Sequence, residues 1–309
     1  MNRWLQRLLK LRYPKSMKHM AEIHPFFRID TDSNGLQNAH WRGKLVAALH
    51  PLRPLRDSRR GESSFIVAAG PSIAALDLSA IAGQTLFGVN GSIAKFAGSD
   101  VRPSFYVITD ANFVLNRFEL VEAAFACRPH LFLTAKVMSA ICEKNPALLG
   151  SAPVSLIETH FCPYNKPRYS REAITRLVEE TSTLHASSWR IGFSRDIELG
   201  LFSAHTVVYY AIQIAAWMGY SPIFMLGTDF GSDGDQVRFY EQSKQAQPSG
   251  MDRDFDKFIR PSFEVLQQVS KQIPALRVYN LSPSSRLSAD IIPKLSLHEA
   301  LDLIDAKSA

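Results

Sequence analysis

The sequence predicts an α/β fold: a Rossmann-like, mostly parallel sheet with helices on both faces. From residue 64 onward, short apolar runs of strand length alternate with segments of helical periodicity, the pattern of repeated strand and helix units. The apolar runs end in Gly, Asn, Ser or Asp, which are typical turn residues. The 309 residues are 46% hydrophobic and 21% charged, so the chain can build a sizeable core.

The N-terminal segment is instead basic and amphipathic. Residues 1–60 contain 13 Lys and Arg against 4 Asp and Glu, whereas the other 249 residues contain 22 against 25. The pattern predicts a helix over residues 1–20 that either lies on an anionic membrane surface or docks on the protein's own body. Its apolar side consists of residues at helical spacing: Trp4, Leu5, Leu8, Leu9 and Leu11.

Residues 21–60 contain Pro25, Pro51 and Pro54 and a cluster of arginines, and we predict an irregular connecting arm. The chain is therefore divided into residues 1–60, the basic amphipathic helix and arm, and residues 61–309, the α/β domain. No apolar run reaches the ~20 residues of a membrane-spanning helix, and no secretory signal is recognisable. Three cysteines at unpatterned spacing predict neither disulfides nor zinc. We expect a reduced, cytoplasmic protein.

The elements of the α/β domain can be derived from the apolar periodicity. Seven strands are predicted: Phe65–Ala69, Leu86–Val89, Ser104–Thr109, His130–Thr134, Ser155–Glu158, Ile223–Leu226 and Leu276–Tyr279. The helices between them are predicted over Ile73–Ile81, Phe118–Ala126, Arg171–Glu180, His205–Met218 and Phe263–Gln272. Strands of this kind are parallel and are covered by helices on both faces.

Small and polar residues come directly after four of these strands. They are Gly70–Ser72, Asn90–Ser92, Thr109–Asp110 and Gly227–Asp229. Ligands of parallel sheets bind beyond the carboxyl ends of the strands, and Ser72 can cap a helix whose N–H groups bind an anion. We predict a phosphate and sugar pocket there, although the same tripeptides also form ordinary turns. G-x-G-x-x-G and the P-loop motif are absent, which disfavours the usual NAD sites and P-loop hydrolysis. No nucleic-acid motif is visible.

Several segments in a fixed order between about residues 64 and 296 carry a family resemblance. In order, they are Phe87–Ser92, Tyr106–Asp110, Gly192–Gly200, His205–Thr206, Ala211–Ala215, Arg238–Tyr240, Tyr279–Pro283 and Asp290–Pro293. With these segments the chain resembles the lipopolysaccharide core biosynthesis proteins of the WaaZ (RfaZ) type, which are associated with adding a 3-deoxy-manno-octulosonic acid (Kdo) residue to the inner core. More distantly, Gly70–Ser72, Asn90, Met218–Tyr220, Gly227–Phe230 and Ser282–Pro283 are similar to bacterial sialyltransferases.

The resemblance implies a glycosyltransferase with a sialyltransferase-like lid over residues 231–260. Its donor would be CMP-Kdo, because Kdo and sialic acid are both 2-keto sugar acids activated as CMP esters. The transfer would be inverting, and no metal or further cofactor is implied. The expected partners are the CMP-sugar donor, the inner-core acceptor and the anionic inner-membrane surface, with no nucleic acid. The enzyme would be peripheral on the cytoplasmic face of that membrane.

The resemblance also implies site residues. Donor binding is assigned to Gly70, Ser72, Asn90, Asp110, Thr206, Asp229 and Ser282. Asp110 stands where the sialyltransferases place an amide, so it could instead bind sugar hydroxyls. The catalytic residues are His205, Tyr240 and Arg238, the latter two as lid contacts to the phosphate.

The general base is the least determined of these residues. The sialyltransferase lid carries a catalytic His, whereas residues 231–260 contain none. We assign the role of general base to His205, because the positive end of a helix favours a neutral imidazole that can accept a proton. The alternative is a His that only caps the helix or fills a polar gap.

Other functions remain open from the sequence. They are a transferase of the same fold that uses CMP-sialic acid or a pyrophosphate donor, as in pterin pyrophosphokinases, and a non-catalytic regulator that binds a nucleotide or glycolipid. Asp233-Gly234-Asp235 is interpreted as a solvated loop rather than a metal-binding D-x-D.

Overall fold

The computed structural model describes residues 3–231, 238–240 and 250–308. The strands are β1 (Phe27–Thr31), β2 (Gln37–Trp41), β3 (Lys44–Ala48), β4 (Ser64–Val67), β5 (Leu86–Val89), β6 (Phe105–Ile108), β7 (His130–Leu133), β8 (Val154–Leu156), β9 (Leu184–Ser188), β10 (Ile191–Ser194), β11 (Ile223–Leu226) and β12 (Val278–Asn280). The α-helices are α1 (Arg3–Arg12), α2 (Ile93–Phe96), α3 (Ala111–Asn116), α4 (Phe118–Ala126), α5 (Ala135–Lys144), α6 (Arg171–Glu180), α7 (Val207–Met218), α8 (Met251–Asp254), α9 (Arg260–Gln272) and α10 (Leu297–Ser308).

The central sheet confirms the predicted fold class. It has seven parallel strands in the order β12-β11-β4-β5-β6-β7-β8, and each of the seven predicted strands is one of them. From β4 the chain builds outward to β8 and then returns to add β11 and β12 on the other side of β4. The strand order therefore switches between β4 and β11, and such a point opens a crevice at the carboxyl ends.

The two faces of the sheet carry separate apolar cores. Alternate residues of β4 face opposite sides, so Phe65 and Val67 join one core and Ile66 joins the other. Helix α7 crosses the second face and is buried at ten of its twelve residues. Its Gln213 amide is fully bonded, because it accepts from the N–H groups of Ser194 and Phe202 and donates to the carbonyls of Phe202 and Tyr209.

The structure corrects two predicted helices, one of which is absent and one of which begins later. Residues 73–81 do not form an α-helix but 3-10 turns at Pro71–Ile73 and Leu78–Ile81. The Asp77 carboxylate accepts from the N–H and the hydroxyl of Ser79 at 2.9 and 2.7 Å, and such local bonds compete with helix formation. Helix α7 begins at Val207 rather than His205, because Ala204 and His205 have left-handed φ values of 42° and 55°.

The segment predicted as an irregular arm contains a three-stranded antiparallel sheet, β1-β2-β3. Its buried residues alternate along the strands and join the core on one face of the central sheet: Phe27, Ile29, Ala39, Trp41 and Ala47. The turn between β1 and β2 is fixed by the Asp32 carboxylate, which accepts from the N–H groups of Asn34 and Leu36. The three prolines of this segment lie before β1 and after β3, so they do not interrupt the short alternating pattern of the strands.

The basic N-terminal helix is present as α1, and 3-10 turns over Lys15–Glu22 come after Pro14. Three apolar side chains of α1 are exposed: Trp4 by 69%, Leu8 by 45% and Leu11 by 84%. All the exposed large hydrophobic residues of the described chain lie between residues 4 and 45: Trp4, Leu8, Leu11, Phe26, Leu36 and Leu45. Among the helices of the described ranges, none has the length and apolar character needed to cross a bilayer.

Buried histidines predict how stability depends on pH. His160 is fully buried, and neither ring nitrogen has a hydrogen-bond partner among the described residues. Burial lowers the pKa of His160 to about 4, against about 6.5 for an unfolded chain. The unfolded state binds the extra proton first, so the stability contributed by the neutral imidazole is complete above about pH 6.5 and is lost as the pH falls toward 4.

We therefore expect the thermal unfolding temperature to drop between pH 7 and pH 4.5, and to drop less in His160→Phe, which cannot titrate. The exposed His298 provides a control, because His298→Gln should behave as the wild type does. A His160→Phe curve parallel to wild type would assign the acid sensitivity to other groups.

Candidate functional site

A cavity of about 500 Å³ lies beyond the carboxyl ends of β4, β5, β6 and β11, at the start of α7. This is the crevice at the switch point of the strand order. Eight of the ten predicted site residues line it: Gly70, Asn90, Asp110, His205, Thr206, Asp229, Arg238 and Tyr240. The other two, Ser72 and Ser282, lie behind its wall, where they bond to one another through their hydroxyls at 3.1 Å.

Asp229 ties together the loops that form the back of the cavity. Its carboxylate oxygen Oδ2 accepts from the N–H and the hydroxyl of Ser72 at 3.1 and 2.9 Å, and Oδ1 accepts from the hydroxyl of Ser284 at 3.0 Å. The prediction that Ser72 caps an α-helix is wrong, because the chain forms a 3-10 turn at Pro71–Ile73. The N–H and hydroxyl of Ser72 donate instead to the protein's own Asp229 carboxylate.

Ser282 also acts within this wall. Its hydroxyl accepts from the N–H of Thr228 at 2.8 Å, and its own N–H donates to the Asn280 side-chain oxygen at 3.0 Å. The loops after β4, β11 and β12 are thus cross-linked by buried polar groups, which rigidify the wall that a ligand would meet.

Gly70 is required by close packing. A Cβ atom at this position would lie 2.1 Å from Asp229 Oδ2 and 2.5 Å from the Gly227 carbonyl oxygen. The Gly70 N–H donates to that same carbonyl at 2.9 Å. Only glycine allows the two strand-end loops to approach this closely.

Tyr240 covers the loop after β5. A Cβ atom at Gly91 would lie 2.0 Å from the Tyr240 hydroxyl oxygen, and the Arg117 guanidinium lies 5.1 Å from the Tyr240 ring centroid. The N–H of Phe239 donates to the Ala69 carbonyl at 3.1 Å. Residues 238–240, one of the described parts of the predicted lid, are therefore attached to the cavity rim.

Asn90 and Asp110 lie at neighbouring strand ends. Asn90 has a φ of 42°, and its side-chain oxygen has no hydrogen-bond partner among the described residues. The Asp110 carboxylate accepts from the N–H of Asn112 at 2.8 Å and caps α3. Thr206 is the N-terminal cap residue of α7, but its side chain makes no capping bond. All three line the cavity.

His205 is held by Asp254 at the cavity rim. The imidazole Nδ1 lies 2.9 Å from Asp254 Oδ2, and the ring stacks on Phe258 with centroids 4.0 Å apart and planes 5° apart. His205 does not cap the helix, since it precedes α7 in a left-handed turn. Its orientation is set by Asp254 and Phe258.

The charge of Asp254 determines the tautomer of His205. The Arg253 guanidinium donates to both carboxylate oxygens of Asp254, at 2.8 and 3.0 Å, and with the His205 hydrogen bond it lowers the pKa of Asp254 to about 2. An ionised carboxylate only accepts hydrogen bonds, so Nδ1 carries the proton. The Nε2 atom of neutral His205 is then the unprotonated nitrogen and can accept a proton.

Sequence reasoning did not identify Asp254 or Phe258 as site residues. The sequence feature at these positions is an alternation of acidic and basic residues from Asp252 to Arg260. The same alternation is typical of an exposed helix, so it does not by itself indicate a site. Asp233-Gly234-Asp235 lies outside the described residues. Within the residues that are described, no three His, Cys, Asp or Glu side chains are grouped as metal ligands.

Comparison with known proteins agrees with the resemblance to the WaaZ type. Residues 182–298 match the family model described as 3-deoxy-D-manno-octulosonic acid transferase WaaZ. An Escherichia coli (strain K12) protein named "Probable 3-deoxy-manno-octulosonic acid transferase" is 25% identical over 252 residues, which cover 79% of this chain and 86% of that protein. The resemblance is therefore confirmed, and it supports a glycosyltransferase.

Two solved structures are also similar. The MAf glycosyltransferase from Magnetospirillum magneticum AMB-1 has a TM-score of 0.46 and 15% identity; the match covers 83% of this chain but only 41% of that protein. The sialyltransferase CstII from Campylobacter jejuni, in complex with cytidine-5'-monophosphate, has a TM-score of 0.41 and 13% identity; the match covers 77% of this chain and 86% of CstII.

Proposed function

We propose that this chain transfers Kdo from CMP-Kdo to a hydroxyl group of the lipopolysaccharide inner core, with inversion and without a metal. The observation that carries the proposal is the His205–Asp254 pair at the rim of the strand-end cavity, which supplies an oriented base beside a cavity of about 500 Å³. The family match supports the transferred sugar.

The proposed reaction is a single displacement at the anomeric carbon of Kdo. The acceptor hydroxyl oxygen forms a bond to this carbon while the bond from the carbon to the CMP phosphate oxygen breaks, and CMP leaves with the electron pair. The acceptor proton passes to Nε2 of His205, whose imidazolium is stabilised by Asp254. Charge develops on the leaving phosphate, so cationic and hydroxyl groups aimed at it lower the barrier.

The donor side of the proposal uses the remaining cavity residues. Gly70 lines the cavity at the end of β4, where its close packing on Asp229 and Gly227 fixes the backbone that the donor is proposed to meet. Asn90 offers an amide whose oxygen has no partner among the described residues. Arg238 and Tyr240 are proposed to contact the phosphate. Asp110 and Thr206 line the cavity beside them and are proposed to bind sugar hydroxyls. Asp229, Ser72 and Ser282 hold the wall.

The proposal is tested by the composition of lipopolysaccharide from a strain that lacks this chain. Mass spectrometry is expected to show the loss of one Kdo unit, which the wild-type gene restores and the His205→Ala variant does not. An Arg128→Gln variant, changed at an exposed position after α4, serves as the matched control and should restore the product. Unchanged lipopolysaccharide in the deletion strain would contradict the proposal.

We further propose that the enzyme works on the anionic cytoplasmic face of the inner membrane, through α1. The exposed Trp4, Leu8 and Leu11 would enter the headgroup region, with basic residues beside them. Each cation near such a surface contributes about 1 kcal/mol.

Removing two of these cations, in Arg7→Gln/Lys10→Gln, is expected to weaken binding to phosphatidylglycerol vesicles by roughly thirtyfold. The matched control is Arg171→Gln/Arg176→Gln, which removes two exposed cations from α6 and should bind as wild type does. Equal loss in both variants would indicate a response to net charge alone. Vesicle sedimentation at low salt measures the difference.

A further inference from the structure

A second cavity, of about 720 Å³, lies at the opposite end of the central sheet. It is lined by residues that precede strands, namely Gly61 before β4, Ser221 before β11 and Arg277 before β12, and by the end of α7 at Trp217. Because these strands are parallel, their starts lie at the edge away from the candidate site. On α7 the nearest lining residues of the two cavities, Tyr210 and Ala216, lie roughly 9 Å apart along the helix axis.

The walls of this cavity are strongly basic. Five cationic side chains and one carboxylate line it: Arg56, Arg60, Arg195, Arg277, Lys307 and Asp57. A concave site with an excess of one charge sign concentrates ligands of the opposite sign. The charge alone therefore favours an anion.

Three of the five cations already have protein partners. Arg60 pairs with Asp57 at 3.0 Å, and Arg56 pairs with Asp196 at 3.3 Å. Lys307 donates to the carbonyl oxygens of Ser221 and Gly61. These three side chains therefore bind to other parts of the protein and stabilise the wall of the cavity.

Arg195 and Arg277 differ from the other cations. Both are half-buried, and within the described ranges neither guanidinium has a carboxylate at ion-pair distance. Withdrawing a cation from water without a counter-charge is unfavourable. An arginine fork matches the oxygen atoms of phosphate or carboxylate in two parallel hydrogen bonds.

The end of α7 does not oppose an anion here. The carbonyl oxygens of Trp217, Met218 and Gly219, which carry the negative end of the helix dipole, accept from backbone N–H groups of residues 57, 59 and 61 at 3.1, 2.8 and 3.4 Å. Residues 57–61 thus satisfy these carbonyls, so the end of α7 does not offset the charge of the two arginines.

We propose that this cavity binds a phosphate-bearing anion through Arg195 and Arg277, at a site separate from the proposed transfer reaction. The site does not depend on the proposed function, since it shares no lining residue with the strand-end cavity. A soluble phosphate compound and a lipid headgroup share this chemistry.

The test is calorimetric titration with inorganic pyrophosphate. Arg195→Gln/Arg277→Gln is expected to bind pyrophosphate about tenfold more weakly than wild type, a loss of about 1.4 kcal/mol. Arg128→Gln is the matched control, since this arginine is exposed and lies before β7, and it should bind normally. Equal affinity of the double variant and wild type would overturn the proposal.

Two further comparisons assign the site and the source of the ligand. Loss of pyrophosphate binding in Arg238→Gln, with normal binding in the double variant, would place the anion in the strand-end cavity and would also overturn the proposal.

If the double variant no longer binds pyrophosphate but still binds phosphatidylglycerol vesicles, the ligand is soluble. If both are lost, headgroups reach the cavity. Should the double variant unfold, the single Arg277→Gln variant, expected to bind several-fold more weakly, provides the same test.

Discussion

His205→Ala is expected to lower kcat for Kdo transfer by about 10²–10⁴-fold, the usual contribution of a general base. The affinity for CMP should change by less than about twofold, because the imidazole is proposed to act on the acceptor proton rather than on the donor. Steady-state kinetics with CMP-Kdo, together with CMP titration, separates the two effects. A variant that folds and keeps wild-type turnover would remove His205 from the mechanism.

Asp254 provides the matched test of how that base is oriented. Asp254→Asn keeps the size of the side chain but removes the charge that keeps the proton on Nδ1. We expect a lower kcat and a shift in its dependence on pH, which a purely structural role would not produce. Arg253→Gln should have a smaller effect, because Asp254 keeps its bond to His205.

Asp229→Ala is expected to have the largest effect on stability within the site. The change leaves the N–H and hydroxyl of Ser72 and the hydroxyl of Ser284 without the buried acceptor that they share. Leaving the two donors of half-buried Ser72 without this acceptor costs about 2 kcal/mol, whereas the exposed Ser284 hydroxyl can bond to water. Loosening of the Gly70 loop should weaken CMP binding by about tenfold. Chemical denaturation and calorimetry measure the two losses.

Asp110→Ala is the control for this prediction. Asp110 lines the same cavity but is exposed, and its carboxylate makes one capping bond to α3, which is worth about 1 kcal/mol. If both variants lose the same stability, the buried network does not hold the wall. If Asp229→Ala loses stability but binds CMP normally, the donor site lies elsewhere.

The strands of the central sheet could be predicted because each is a short apolar run buried on both faces. The same reasoning missed β1 to β3, where one face is polar and the runs are interrupted by Asp30, Asn38 and His40. Residues 73–81 were also wrongly predicted as a helix. Apolar periodicity does not reveal that Asp77 bonds locally to Ser79, or that Ser72 bonds to the distant Asp229.

Most of the site could be predicted from the small and polar residues at the strand ends, because parallel strands bring their carboxyl ends to one edge. The pairing of His205 with Asp254 could not, since 49 residues separate them and no spacing rule links a turn before α7 to the end of α8. The distinction between residues that face the cavity and residues that support it, such as Ser72 and Ser282, likewise required the three-dimensional arrangement.

The central claim is that the strand-end cavity binds a CMP-activated donor, and calorimetric titration with CMP tests it most directly. We expect CMP to bind with one-to-one stoichiometry, UDP and ATP to give no measurable heat, and Asn90→Ala and Arg238→Gln each to weaken CMP binding by about tenfold. CMP affinity that is unchanged in both variants, or equal affinity for all three nucleotides, would contradict the claim.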